Sequence, residues 1–128
     1  MRYILDTHTF LWFIWGDIKL SSTAREIISE TNNDIFLSMA SLWEMTIKNG
    51  TGKLDLSRDI SSFFQDRVDA NNFLILPIHR FHLVTLSTLP LHHRDPFDRL
   101  LIAQSISENI PIISADTAFD AYPVTRIW

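Results

Sequence analysis

Acidic residues follow two of the strands that the sequence predicts. Asp6 comes directly after the apolar stretch Tyr3-Ile4-Leu5, and Asp116 comes shortly after a second apolar stretch at residues 111–114. Ligands of parallel sheets bind outside the carboxyl ends of the strands, so we expect these two acids to converge although they are far apart in sequence. Either acid taken alone is better explained as the cap of a following helix. Their convergence is what suggests a functional site.

Glu44 is a third acid of interest because its neighbours are apolar. It lies in a predicted helix, residues 39–49, among leucine, tryptophan, methionine and isoleucine side chains. Two structural explanations are available: a capping box that begins at Ser41, and an ion pair with Lys48 four residues later. Neither explains an acid in so apolar a stretch, and at this point the structural and functional interpretations are both open.

Asp95 and Asp98 lie at the start of the helix that the sequence predicts most clearly. Asp95 precedes Pro96, which is the pattern of an N-cap followed by proline at the first helical position. Asp98 in the first turn favours the helix macrodipole. Both acids therefore have a structural explanation, yet both lie at the same end of this helix. The neighbouring Arg99 is a candidate partner for an acid or a phosphate.

Four of these acids would repel one another if the fold brought them together without counterions. These candidate metal ligands are Asp6, Glu44, Asp98 and Asp116. Two like charges roughly 4 Å apart repel by about 4 kcal/mol at an effective dielectric constant of about 20. A divalent cation removes this penalty, and ligands that are all oxygen suit Mg²⁺ or Mn²⁺ rather than zinc. One or two such ions activate water and stabilise a phosphate under attack, which is the chemistry of metal-dependent nucleases.

Apolar strands alternate with helices along the chain. Strands are predicted at residues 3–5, 34–37, 73–76, 111–114 and 124–127, and helices at residues 7–15, 21–31, 39–49, 60–71, 79–89 and 96–109. This alternation predicts parallel βαβ units, and solid apolar strands are typical of a sheet covered on both faces. We therefore expect an α/β fold, a three-layer α/β/α domain with a mainly parallel central sheet of four to five strands.

Composition restricts the protein class. The chain has 128 residues, of which 46% are hydrophobic and 20% charged, and this predicts one domain spanning residues 1–128. The absence of cysteine excludes disulfides and thiolate chemistry. No apolar run approaches the ~20 residues of a membrane span. The first residues leave no room for a signal peptide, so we expect a cytoplasmic protein with no membrane partner.

The net charge of −4 bears on nucleic-acid binding. A protein that binds nucleic acid through basic side chains alone is usually basic, so that simple mode is not expected here. Bound metal cations would reverse the sign of the charge locally. A nucleic-acid substrate therefore fits this sequence only together with the predicted metal site.

Four stretches of the chain match the pattern of a known family. They are Ile4–His8, Ser38–Glu44, His93–Gln104 and Ile113–Asp116. Through them the chain resembles the PIN-domain ribonucleases, and among these the VapC-like toxins of bacterial toxin–antitoxin pairs. The resemblance extends over essentially the whole chain, and the stretch His93–Gln104 is its specific part.

The resemblance implies a role for particular residues. It assigns the four acids named above to the acidic positions of the PIN active site, with Thr7 and Ser114 as the hydroxyl residues beside the first and last of them. Lys48 is implied either to orient Glu44 or to contact phosphate. Asp95 is implied to cap its helix, with a contact to the site through water as an addition. The family further implies Mg²⁺ or Mn²⁺, cleavage of single-stranded RNA, a homodimer, and inhibition by a cognate antitoxin.

Aromatic and histidine residues carry weaker signals. The helical stretch Phe10–Trp15 is apolar on all sides, so part of it is expected to pack on a second copy or on an antitoxin segment. The histidines show no zinc-binding pattern. His92 and His93 lie near the proposed site and are candidates for RNA contact, whereas His79 and His82 are interpreted as ordinary helix residues.

Two other functions are compatible with a small parallel α/β domain that carries acids at strand ends. A phosphoacceptor receiver domain needs an aspartate after the third strand, and here Phe73–Pro77 contains none. A PIN scaffold used only for binding is the other alternative, and the intact acids argue against it. Phosphorylation by a small phosphodonor would identify the first alternative, and failure to retain Mn²⁺ would identify the second.

Overall fold

A computed structural model describes all residues of the chain, 1–128. Its strands are β1 (Arg2–Leu5), β2 (Asp34–Ser38), β3 (Leu74–Leu76), β4 (Ile112–Ile113) and β5 (Arg126–Ile127). They form one parallel sheet in the order β3-β2-β1-β4-β5. The predicted parallel sheet is confirmed. The fourth strand is shorter than predicted because Pro111 has no N–H to donate, although its carbonyl still accepts a hydrogen bond from Ile4.

Six α-helices surround the sheet. They are α1 (Thr7–Trp15), α2 (Ser22–Ser29), α3 (Met39–Gly50), α4 (Ile60–Phe63), α5 (Arg80–Thr88) and α6 (Pro96–Glu108). The single helix predicted for residues 60–71 is wrong in detail, since α4 continues as a π-helical segment, Phe64–Asp69. In a π-helical turn the hydrogen bonds join residues five apart. Phe63 and Val68 are five residues apart, and both are buried in the core. None of these helices combines the length and the apolar character needed to cross a membrane.

Successive residues of β1 enter two different apolar cores. Leu5 belongs to the larger core, together with Phe10 of α1 and Met45 of α3. Ile4 belongs to the second core, together with Leu101 of α6. Because neighbouring residues of a strand point to opposite faces, helices must cover both faces of the sheet. The predicted three-layer α/β/α architecture is therefore confirmed.

The chain reverses its direction across the sheet between β1 and β4. β2 and β3 are added on one side of β1, and β4 and β5 on the other. Leu5 is paired with Ile113, so the residues that follow them, Asp6 and Ser114, leave the sheet side by side. Ligands of open parallel sheets bind at such a reversal point, outside the carboxyl ends of the strands. The topology thus predicts the position of a site before any side chain is considered.

Polar residues cap the helices that begin at this edge of the sheet. Asp6 caps α1, and Asp95 caps α6 as predicted. Ser38, the last residue of β2, caps α3, so the capping box proposed to begin at Ser41 is wrong. The helix begins earlier because Ser38 accepts a backbone hydrogen bond from the first turn. Glu44 therefore lies well inside α3 and has no capping role.

Candidate metal centre

Asp6 presents a buried carboxylate at the reversal point. Its Oδ1 accepts a hydrogen bond from the backbone N–H of Thr9 at 2.8 Å, and its Oδ2 accepts one from the Ser114 hydroxyl. Only 6% of Asp6 is exposed. Burial raises the pKa of the Asp6 carboxyl because desolvation outweighs the hydrogen bonds that favour its charged form. Ser114, predicted to lie beside the last acid, thus also holds the first.

Glu44 is 3% exposed, and each of its two oxygens has a partner. The Thr7 hydroxyl donates to Oε1 at 2.6 Å, and Lys48 Nζ donates to Oε2 at 2.6 Å. Thr7 directly follows Asp6, so its hydroxyl ties Glu44 to the beginning of α1. The hydrogen bond to Glu44 raises the pKa of the Lys48 ammonium group. Of the two roles implied for Lys48, the geometry favours orientation of Glu44.

Asp98 lies in the first turn of α6, with one-fifth of its side chain exposed. Burial is the largest cause that raises the pKa of its carboxyl to about 7. Nearby negative charges add to the rise; they belong to Asp95, Asp6 and Glu44. The neighbouring His93 acts in the opposite direction and lowers the pKa of Asp98. Acids from three separate segments therefore lie close enough to Asp98 to affect its protonation.

Asp95 acts mainly on the backbone of α6. Its Oδ1 accepts hydrogen bonds from the N–H groups of Phe97 at 2.8 Å and Asp98 at 3.2 Å. This is the predicted cap. The negative charge of Asp95 nevertheless reaches the site, because it is one of the causes of the raised pKa of Asp98.

Asp116 and His93 lie at the β4 side of the site. His93 Nε2 forms a hydrogen bond with Oδ2 of Asp116 at 3.2 Å and lies 3.2 Å from Oδ2 of Asp98. The other ring nitrogen, Nδ1, accepts from the backbone N–H of Asp95 at 3.2 Å. A neutral ring that accepts at Nδ1 carries its proton on Nε2. His93 therefore presents one N–H to two carboxylates from distant parts of the chain.

Arg99 is turned away from the acids. Its guanidinium donates to the carbonyl oxygens of Pro90 at 3.0 Å and Leu89 at 3.3 Å, and to the Tyr122 hydroxyl at 3.2 Å. The prediction that Arg99 pairs with an acid is wrong, and its pairing with a phosphate stays a prediction. The carbonyl groups of the loop between α5 and α6 satisfy its donors instead.

A cavity of about 340 Å³ opens beside the acids. Its lining residues are Asp6, His8, Trp12, Ala115 and Asp116. The side chain of Asp116 is 42% exposed, so the acids are accessible from this side. The acids of the site can therefore be reached from solvent.

Comparison with known proteins identifies the family. The model of the PIN domain matches residues 3–124. The chain belongs to the PIN domain family. PIN domains are in general nucleases, and they generally use divalent metal ions. No curated protein matches the chain significantly in sequence.

Solved structures of similar fold cover nearly the whole of this PIN domain. VapBC2 from Rickettsia felis, bound to a DNA fragment from its promoter, is similar with a TM-score of 0.72 at 17% identity, over 99% of this chain and 98% of that one. VapBC-1 from nontypeable Haemophilus influenzae has a TM-score of 0.68 at 14% identity, over 99% and 97%. FitAcB from Neisseria gonorrhoeae has a TM-score of 0.67 at 16% identity, over 98% and 96%. At these identities the similarity establishes the fold.

The donor chemistry of this PIN domain fits a hard divalent cation. The crowded groups are carboxylates, and their mutual repulsion is visible in the raised pKa of Asp98. One ligand atom each from His93, Asp98 and Asp116 lies within 4.8 Å of the others. The Nε2 proton of neutral His93 makes this ring a hydrogen-bond donor rather than a ligand. Of this group the carboxylates of Asp98 and Asp116 remain, whereas Asp6 and Glu44 lie outside it. Carboxylate oxygens are the donors that Mg²⁺ and Mn²⁺ prefer.

The sequence places the hydroxyl residues, Lys48 and Asp95 near the acids, but it does not predict the contacts of His93 with two of those acids. The hydroxyl residues and Lys48 touch the acids directly, and Asp95 acts through its charge. His93 was expected to contact RNA, whereas the structure places it between two acids. The sequence places His93 at the start of the stretch His93–Gln104 and two residues before the Asp95 cap, a spacing that lets the ring fold back onto the start of α6.

Proposed function

We propose that this PIN domain is a divalent-metal-dependent endoribonuclease that cleaves single-stranded RNA. The observation that carries the proposal is the convergence of acids from distant segments at one edge of the sheet: the Oδ2 atoms of Asp98 and Asp116 both lie 3.2 Å from His93 Nε2, and the buried Asp6 and Glu44 are near enough to raise the pKa of Asp98. Such a cluster is unfavourable on its own and favourable around a cation. PIN domains in general perform nuclease chemistry, and the described acids are the groups that this chemistry needs.

In the proposed site, Asp6, Glu44, Asp98 and Asp116 hold Mg²⁺ or Mn²⁺. The ion supplies a Lewis acid and a lowered pKa for water. The chain's own residues fix the carboxylates in place: Ser114 holds Asp6, and Thr7 with Lys48 holds Glu44. His93 holds Asp116 through its Nε2 proton. The carboxylates are thus oriented before substrate arrives, which reduces the cost of reorganisation.

We further propose that the protein is the toxin of a toxin–antitoxin pair, acts in the cytoplasm and forms a homodimer. The support is the fold similarity to VapBC and FitAB proteins. Exposed apolar side chains offer surfaces for a partner: Trp15 of α1, and Met39, Trp43 and Ile47 along one side of α3. Expression of the wild-type chain should arrest growth, co-expression of the adjacent gene should relieve it, and Asp98→Asn should be harmless.

The receiver-domain alternative is disfavoured by topology. In receiver-type sheets the strand order is 2-1-3-4-5, which puts the third strand in the centre. Here β3 lies at the edge of the sheet and is followed by Pro77. An aspartyl phosphate has no suitable position there.

The direct test is cleavage of RNA by purified protein free of antitoxin. We expect cleavage of single-stranded RNA with Mg²⁺ or Mn²⁺, and none with a chelator. Asp6→Asn and Asp98→Asn should each abolish it. Undiminished cleavage by either variant would remove that residue from its role, and absence of cleavage together with failure to retain Mn²⁺ would favour a binding-only PIN scaffold.

A further inference from the structure

We propose that the cavity beside Asp6 and Asp116 is a nucleobase subsite, in which a base of the bound RNA stacks against the rings of His8 and Trp12. This inference rests on the proposed function, since it assumes that the RNA phosphate lies at the neighbouring acids. It adds a specific element of substrate binding that the acids themselves do not provide.

The cavity has one aromatic wall. His8 and Trp12 are four residues apart on α1 and therefore share a face of that helix. Their ring centroids are 5.9 Å apart with an interplanar angle of 37°. Ala115 contributes only a methyl group to the lining. The volume of about 340 Å³ is at the lower end of small-ligand pockets, about 300–1,000 Å³, which suits a single base rather than a helical segment.

The Trp12 ring is fixed by its surroundings. Trp128 packs against it edge-on, with centroids 5.9 Å apart and an interplanar angle of 60°. Phe10 and Leu11, which precede it on α1, are buried, whereas Trp12 is only half-buried. A rigid ring that remains accessible binds a base at low cost in conformational entropy. Aromatic stacking of this kind is typical of proteins that bind single-stranded nucleic acid.

The charges around the cavity favour a neutral ring inside it and a phosphate outside it. Asp6 and Asp116 repel an anion from the lining, but they accept hydrogen bonds and tolerate an uncharged base. The Lys19 ammonium group lies 5.8 Å from the centroid of the Trp12 ring, where it supplies positive charge for the backbone of the nucleic acid. His8 is close enough to Asp6 to oppose the rise in its pKa, so the aromatic wall and the acids share one space.

The experiment compares variants of the wall with a control variant at an exposed aromatic ring elsewhere. His8→Ala and Trp12→Leu alter the wall, and Phe81→Leu on α5 removes a ring that is 50% exposed and does not line the cavity. Because stacking contributes about 1–3 kcal/mol per base, we expect the KM for single-stranded RNA to rise at least ~5-fold in both wall variants. We expect kcat within about twofold, and no change in Phe81→Leu. His8 is exposed, so its variant tests the wall even if Trp12→Leu fails to fold.

A second readout does not depend on cleavage. Adenosine 5′-monophosphate should shift the Trp12 indole N–H resonance in a saturable way, and ribose 5-phosphate should not. Equal effects of the two compounds, or wall variants that behave like Phe81→Leu, would overturn the subsite and favour a partner's side chain as the occupant. Binding of the nucleotide at Trp12 by a wild-type protein that cleaves no RNA would overturn the proposed function and leave the subsite standing.

Discussion

His82 and His93 use the same hydrogen-bonding scheme in two different regions of the molecule. In each ring Nδ1 accepts a backbone N–H, from His79 at 3.0 Å in one case and from Asp95 at 3.2 Å in the other. In each ring Nε2 lies close to at least one carboxylate oxygen. His82 has one such partner, Glu108 at 3.0 Å. His93 has two, on Asp98 and Asp116, both at 3.2 Å.

The difference lies in the balance of charge. The pair between α5 and α6 matches one imidazole N–H with one carboxylate, and His82 is fully buried. This arrangement is satisfied and needs nothing further. At the sheet edge one imidazole N–H faces two carboxylates, and the charges of Asp6 and Glu44 also act on Asp98. The same local chemistry is therefore structural in the first region, and in the second it leaves negative charge that the histidine does not balance, which is the charge that the proposed cation would neutralise.

The largest expected effect is the loss of activity when an acid of the second region is neutralised. Asp98→Asn should reduce RNA cleavage by roughly 10³-fold or more, because it removes a proposed ligand of the ion that stabilises the transition state. Glu108→Gln, the matched change beside His82, should leave cleavage within about twofold. Cleavage rates with Mn²⁺ measure both. Comparable losses in the two variants would erase the distinction between the regions.

Removal of the two histidines should reverse the order of the effects: stability should fall more in the region of His82 than in the region of His93. His82→Ala should lower the free energy of unfolding by about 2–4 kcal/mol, since it leaves a cavity and unpaired partners in a fully buried position. His93→Ala should cost less than about 1 kcal/mol, because the ring is part-exposed and its partners reach solvent. Denaturant unfolding of the two variants provides the measurement. A larger loss in His93→Ala would make His93 the structural residue of the pair.

His93→Gln sharpens the comparison further. A glutamine amide donates one N–H in the manner of Nε2 but is a poor metal ligand. We expect Mn²⁺ affinity near that of the wild type in His93→Gln, and roughly 5-fold weaker in His93→Ala, where the acids lose the group that positions them. Equal and large losses in both variants would instead identify His93 as a ligand.

The pH dependence follows from the raised pKa of Asp98. Between its ordinary pKa of 3.8 and its value in the fold of about 7, the folded protein binds more protons than the unfolded one. The stability of the metal-free protein should therefore fall as pH rises through this window, and Asp98→Asn should flatten that fall. Because Mn²⁺ competes with the same proton, its affinity should rise by up to about tenfold per pH unit until pH ~7 and then level off. Thermal unfolding and titrations at several pH values check both trends.

The order of elements was predictable because most strands are short apolar runs, and because the residue that caps the next helix directly follows β1 and is the last residue of β2. The convergence of Asp6 and Asp116 was predictable, since the carboxyl ends of parallel strands lie at the same edge of the sheet. Glu44 was ambiguous in sequence because Ser41 imitates a capping residue. Only the position of Ser38 at the end of β2 shows where α3 begins.

Other features depend on contacts between distant residues and were not predictable. Arg99 follows Asp98 and resembles an ion-pair partner, but the carbonyls of Leu89 and Pro90 bind it in three dimensions. His79 is predicted to be a helix residue, but it is the N-cap residue that lies just before α5. The burial of His82 depends on Glu108 from the following helix. Propensity and spacing describe neighbours along the chain, whereas these contacts depend on how α5 packs on α6.

Calorimetric titration of Mn²⁺ into metal-free wild-type protein, Glu44→Gln and Asp98→Asn tests the central claim most directly. The claim is that four carboxylates share a cation: two that follow β1 and β4, one on α3 and one on α6. We predict saturable binding by the wild type and at least ~10-fold weaker binding by each variant, with Glu108→Gln unchanged. Absence of binding to the wild type, or wild-type affinity in either variant, would contradict it.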